Sequence, residues 1–138
     1  MDVEGKFSFI LIDLAKEWHK MKMQAVYNKI KKHLLTQNKQ AFGIGPFGVT
    51  ACLYFAPDGC KCAIGCLIKK KYYNSDLEGH SVTYPSIRNA LQLSGVDLNS
   101  DENITNLLDC LRNIHDHYPP KTWKKEIVKL AKEFKLKS

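Results

Sequence analysis

Apolar residues along this chain recur with a helical period far more often than they alternate. Phe7, Ile10, Leu11, Leu14, Ala15 and Trp18 fall at i, i+3, i+4, i+7, i+8 and i+11, one face of an amphipathic helix. Val26, Ile30 and Leu34, with Tyr27 beside them, form a second stripe running to about Gln37. A single helix over both would exceed the roughly 25 residues usual in globular proteins, so a break is expected near Lys20–Met23. Three more stripes follow. The first holds Ile87, Ala90 and Leu91, after Pro85 and before Gly95, residues suited to opening and stopping a helix. The second holds Ile104, Leu107, Leu108, Leu111, Ile114 and His115, with Asn99-Ser100-Asp101 as N-cap candidates and Pro119-Pro120 as its end. Trp123, Ile127, Leu130, Ala131 and Phe134 make the third.

Between residues 41 and 84 the helical period lapses. Ala41–Thr50, punctuated by Gly43, Gly45, Pro46 and Gly48, reads as a loop. Cys52–Ala56 favours a strand, Pro57-Asp58-Gly59 a tight reversal, and Cys60–Ile64 a return strand. A helix is expected from Ala63 to Lys71 and a connecting loop from Tyr72 to Tyr84. The expected fold is mainly α, of the α+β class, with about five helices and one small β-hairpin around residues 51–64. Residues 1–22 are expected to be an added amphipathic helix and residues 23–138 a single α-rich domain. The Phe7–Trp18 face would then bury against the domain, a partner, or another copy of the chain in a homo-oligomer.

A chain of 138 residues fits one domain with a core of its own. No apolar run approaches the roughly 20 residues of a membrane span, and the features of a signal peptide are missing. The expectation is a cytoplasmic protein with reduced thiols and no membrane partner, because five cysteines cannot all pair. The net charge of +7 is unevenly spread: eight lysines stand against four acids in residues 1–40, and seven against two in residues 121–138. Residues 41–120 carry six basic against eight acidic residues. Cationic ends suit an anionic partner, either nucleic acid or an acidic protein face. The binding candidates are Lys121, Lys124, Lys125, Lys129 and Arg112. Arg88 and Arg112 are the only arginines, which argues against sequence-specific base readout.

Candidate chemistry is concentrated in two places. Cys52, Cys60, Cys62 and Cys66 fall within fifteen residues, and His115-Asp116-His117 closes the Ile104–His115 stripe. A zinc site could draw on Cys52, Cys60, Cys62, Cys66 and His117, but the C-x-C and C-x₃-C spacings are not those of a zinc knuckle. A thiol hydrolase or transferase would use Cys62 as nucleophile, His115 as base and Asp116 to orient it. The third reading is packing: free cysteine is among the most buried residue types, and an inward histidine commonly bonds a backbone group. No catalytic residue and no metal is favoured, and no cofactor is expected. The chain carries no phosphate-binding or dinucleotide glycine motif and no H-E-x-x-H.

The stretch Tyr54–Ile68, containing Asp58-Gly59-Cys60-Lys61-Cys62-Ala63-Ile64-Gly65-Cys66-Leu67-Ile68, resembles a group of short uncharacterised phage and bacterial proteins. These share the pattern D-G-x-K-C-A-[IV]-G-C-L-I. Tyr72, Tyr73 and Glu78-Gly79, the His33–Gln37 stretch, Ile114-His115-Asp116, Pro119, Pro120 and Trp123 are similar to the same group. The resemblance covers roughly Met23 to Phe134. It implies a phage or prophage accessory protein, a small binding protein that antagonises or redirects a host defence system, and it brings no known activity. Cys62 and Cys66 fall on the pattern and Cys60 on its variable position. Asp116 matches it better than His117.

Overall fold

Four helices among the described residues bury the stripes visible in the sequence. The computed structural model describes residues 21–138, so the Phe7–Trp18 stripe lies outside the described residues. Helix α1, Met23–Gln37, buries Met23, Val26, Tyr27, Ile30 and Leu34. Asn38 ends it in the left-handed conformation (φ 49) and donates its N–H to the Leu34 carbonyl, a C-terminal stop to which asparagine is suited. Two residues upstream, Met21 already belongs to the fold: its N–H donates to the Gly95 carbonyl, and its carbonyl accepts from Asp97.

The small antiparallel sheet comes next. Strand β1, Phe42–Ile44, pairs with β2, Thr50–Cys52, with Phe42 opposite Cys52 and Ile44 opposite Thr50. This corrects the expected placement, since the paired strands flank the Gly/Pro-rich segment instead of the Pro57-Asp58-Gly59 reversal. That reversal exists, with Gly59 at φ 90. Beyond it only Phe55 and Lys61 form a bridge. The glycines that suggested a loop have strand and turn duties. A Cβ on Gly43 would stand 2.5 Å from a Leu53 methyl, and Gly48 takes φ 75 in the turn, a conformation that suits glycine.

The expected helix from Ala63 to Lys71 is also replaced, by one-turn 3-10 segments at Gly65–Leu67 and Lys70–Tyr72, and a third such turn, Ser75–Leu77, lies in the expected loop. Two features explain this. Ala63, Ile64, Gly65, Leu67 and Ile68 are all buried, so the Ala63–Ile68 stretch lacks the polar face of an amphipathic surface helix. Gly65 also lies against the Tyr54 carbonyl so closely that a Cβ would sit 1.9 Å from its oxygen.

Helices α2 (Pro85–Leu93), α3 (Ile104–His117) and α4 (Pro120–Glu133) follow. Pro85 and Pro120 stand at helix openings, where a missing N–H costs nothing. The α3 stripe is buried as the sequence indicates, Ile104 through His115. Asp101 caps the start of α3 from outside by accepting the Asn103 N–H. Helix α1 packs against α3, α4 and the Gly65–Leu67 turn, so one core joins helices and loop. The fold is mainly helical with one small sheet, in four helices among the described residues where about five were expected. None of these helices is long and apolar enough to cross a membrane.

Candidate functional site

The end of α3 and the start of β1 meet in a buried polar clamp. His115 is completely buried. The Ala41 N–H donates to its Nε2 at 3.0 Å, and its Nδ1 lies 2.6 Å from the Asp116 carboxylate. A backbone N–H can only donate, so Nε2 is the acceptor and Nδ1 carries the proton given to Asp116. Both ring nitrogens are thereby occupied. The ring also lies 5.4 Å from that of Trp123, whose indole N–H donates to the Tyr118 carbonyl. The Gln40 side-chain amide donates to the His115 carbonyl at 2.9 Å, satisfying one of the orphan carbonyls of the helix end.

Arg112 and Asp116, one turn apart on α3, extend this clamp outward. Their Nε and Oδ2 atoms are 3.6 Å apart. Arg112 also donates to the His80 carbonyl and lies over the Tyr54 ring, 4.9 Å from its centroid. The Tyr54 hydroxyl donates to the same His80 carbonyl. Arg112, expected among the binding residues, thus tethers the 78–80 loop to α3. Its i, i+4 spacing to Asp116 was the available signal.

Glu78 is the residue that sequence reasoning missed. Its carboxylate is buried and accepts the N–H groups of Tyr54 (2.8 Å) and Phe55 (3.2 Å) and the Tyr73 hydroxyl (2.8 Å). Nothing in a lone acid before a glycine reveals that role. Gln37 and His33 do similar work from α1. Gln37 both donates to the Lys61 carbonyl and accepts the Lys61 N–H, and His33 donates Nε2–H to that same carbonyl.

The cysteines are all free thiols. Cys62 is buried, and its sulfur accepts the Gly65 N–H at 3.3 Å; burial pushes its pKa up to about 12. Burial likewise raises Cys66 to about 12, and its thiol donates to the Ala63 carbonyl. Cys52 reaches about 12 through burial and the neighbouring Asp116 carboxylate. Cys60 sits at the turn, where Asp58 accepts its N–H, and His117 is exposed.

Among the described residues, the grouping with metal-ligand potential is Cys52, His115 and Asp116, whose ligand atoms lie within 4.8 Å of one another. The four clustered cysteines and His117 do not form such a group there. The trio is hydrogen-bonded, not poised for a metal. Coordination would need a thiolate at Cys52 and a bare Nδ1 on His115, while the Ala41 N–H keeps the proton on that nitrogen. Cys62 has no hydrogen bond to His115, whose acceptor nitrogen is already taken.

The expected binding lysines divide. Lys121, Lys124 and Lys125 are exposed on α4. Lys129 lines the α3–α4 groove beside Glu126 and Glu133. The other conspicuous surface is the hairpin, where Ile44 is 75%, Phe47 89% and Val49 62% exposed. No charged residue occurs from Gln40 to Pro57. Comparison with protein-family models, curated proteins and solved structures finds no match.

Proposed function

We propose that this is a non-enzymatic binding protein, a phage-type accessory protein that antagonises or redirects a host defence system by contacting a host protein or nucleic acid. The observation that carries the non-enzymatic part is the double occupation of His115: Ala41 on Nε2 and Asp116 on Nδ1. A general base needs a lone pair within reach of the nucleophile, and here that lone pair accepts a backbone N–H. Burial of Cys62 as a neutral thiol supports the same reading, since the thiolate is the nucleophile. The host and phage part rests on the resemblance around Asp58–Ile68 alone. The thiol hydrolase or transferase and the structural zinc module are the readings this geometry supports less.

Site-resolved alkylation of the native protein at neutral pH tests the proposal. Half-exposed Cys60 should react first, and Cys62 only as fast as the chain unfolds. A Cys62 that reacts faster than Cys60 under native conditions would restore the enzymatic reading.

A further inference from the structure

Among the described residues, the outward lysines of α1 and α4 have no acidic residue beside them on those two helices except Glu126 and Glu133. On α1 the buried stripe leaves Gln24, Asn28, Lys31 and Leu35 along one flank, and Gln24 bonds the backbone of Lys137 just past α4. The Tyr27 hydroxyl donates to the Ile127 carbonyl in the middle of α4. Those two contacts set the helices antiparallel, and stepping one turn along each from the Tyr27–Ile127 contact brings the Lys31 turn of α1 level with the Trp123–Lys124 turn of α4. Lys32 faces outward on α1, and Lys121, Lys125 and Lys132 face outward on α4. Helix α1 contains no acidic residue. The two acids of α4, Glu126 and Glu133, lie on the opposite flank against α3. The ion pairs among the described residues involve Lys39, Arg112 and His115, not these lysines.

We infer that the paired α1–α4 face binds duplex nucleic acid through its phosphates, without sequence preference. The composition of the face selects that partner. Lysine serves as a point charge for phosphate, whereas base reading leans on arginine, asparagine and glutamine. Single-strand platforms stack bases on aromatic rings, and the aromatics of these helices, Tyr27 and Trp123, are fully buried. A 15-residue helix gives a face about 22 Å long at 1.5 Å per residue, enough to follow several successive phosphates.

This inference deepens the binding reading above and rests on it. The test is fluorescence anisotropy of the full chain with a labelled duplex of arbitrary sequence, over a range of salt. Engagement of about four to six phosphates gives a log–log salt slope of about −3.6 to −5.4, roughly a 10²- to 10³-fold loss between 50 and 200 mM salt. A second duplex of unrelated sequence should bind within about threefold. The double variant K124E/K125E should weaken binding about tenfold or more. K70E/K71E makes the same change in net charge on a different element, Lys70–Tyr72, and should stay within about threefold, because the inferred phosphate contacts are made by α1 and α4 and not by this turn. Equal losses in both variants would overturn the assignment to this face, and absence of duplex binding at low salt would overturn the inference outright. If duplex stays unbound while Cys62 remains protected from alkylation, only the partner is wrong. A fast-reacting Cys62 would sink the binding reading itself.

Discussion

Ala41 and Phe42 are neighbours in sequence and belong to opposite kinds of surface. Ala41 is buried and gives its N–H to His115; Phe42 opens a hairpin that presents Ile44, Phe47 and Val49 to solvent. On the clamp side, among the described residues, every buried side-chain nitrogen and oxygen has a partner, as burial without a partner is costly. On the hairpin side, large apolar side chains are left uncovered, which in a folded chain marks a surface for contact. Residue types that usually signal chemistry therefore hold the molecule together here. The exposed hairpin is made instead of apolar residues that carry no chemistry of their own.

The sharpest break in that comparison comes from its glycines. Gly65→Ala would drive a Cβ into the Tyr54 carbonyl, a backbone atom that cannot swing aside. The expected destabilisation exceeds the roughly 3 kcal/mol usual for overpacked cores, read as lost cooperative unfolding or lost soluble protein. Gly48→Ala at the hairpin turn meets nothing within 4 Å and pays only for φ 75, about 1–2 kcal/mol. Similar costs at the two sites would show that the clamp side is not the rigid one.

Next in size is Glu78→Ala, which removes one acceptor and orphans the Tyr54 and Phe55 N–H groups and the Tyr73 hydroxyl. A loss of about 3 kcal/mol or more in chemical denaturation is expected, from hydrogen bonds to a charged group and the unsatisfied donors left behind. A change under about 1 kcal/mol would mean water replaces the carboxylate and the loop is not anchored there.

An effect confined to alkaline solution should follow pH. Burial raises Cys52, Cys62 and Cys66 to about 12 from an ordinary 9.0. Their contribution is complete below about pH 9 and is lost as pH rises toward 12, because the unfolded chain releases those protons first. Denaturation midpoints should stay level from about pH 7 to 9 and fall above that; a midpoint unchanged at higher pH would contradict the burial of these thiols. The smallest effect belongs to the hairpin tip. Ile44→Ser with Phe47→Ser should leave stability within about 0.5 kcal/mol, as for exposed positions generally. A large loss would show that these side chains are covered in the folded protein.

The helices were legible because their stripes are long and periodic. The buried set of α3, from Ile104 to His115, is the one the spacing indicates. The middle of the chain was not, for reasons that lie in tertiary contact. Gly43 and Gly45 resemble loop punctuation, yet Gly43 is a strand residue admitted close to Leu53. Ala63–Ile68 resembles helix, yet the approach of Gly65 to Tyr54 and burial on all sides hold it in a single tight turn. Of the site, the inward direction of His115 could be read from its stripe. Its partner Ala41, seventy-four residues away, could not, because the contact is made by a backbone N–H that any residue supplies. Glu78 was hidden for the converse reason: its donors are two backbone N–H groups and one tyrosine hydroxyl.

The closed state of His115 is the claim on which the account turns, and ¹⁵N NMR of the imidazole in the native protein measures it directly. The ring should be protonated on Nδ1, with Nε2 as an acceptor and the Ala41 amide protected from exchange by its bond to that nitrogen. A ring protonated on Nε2, with a rapidly exchanging Ala41 amide, would contradict it and return Cys52, His115 and Asp116 to the list of working groups.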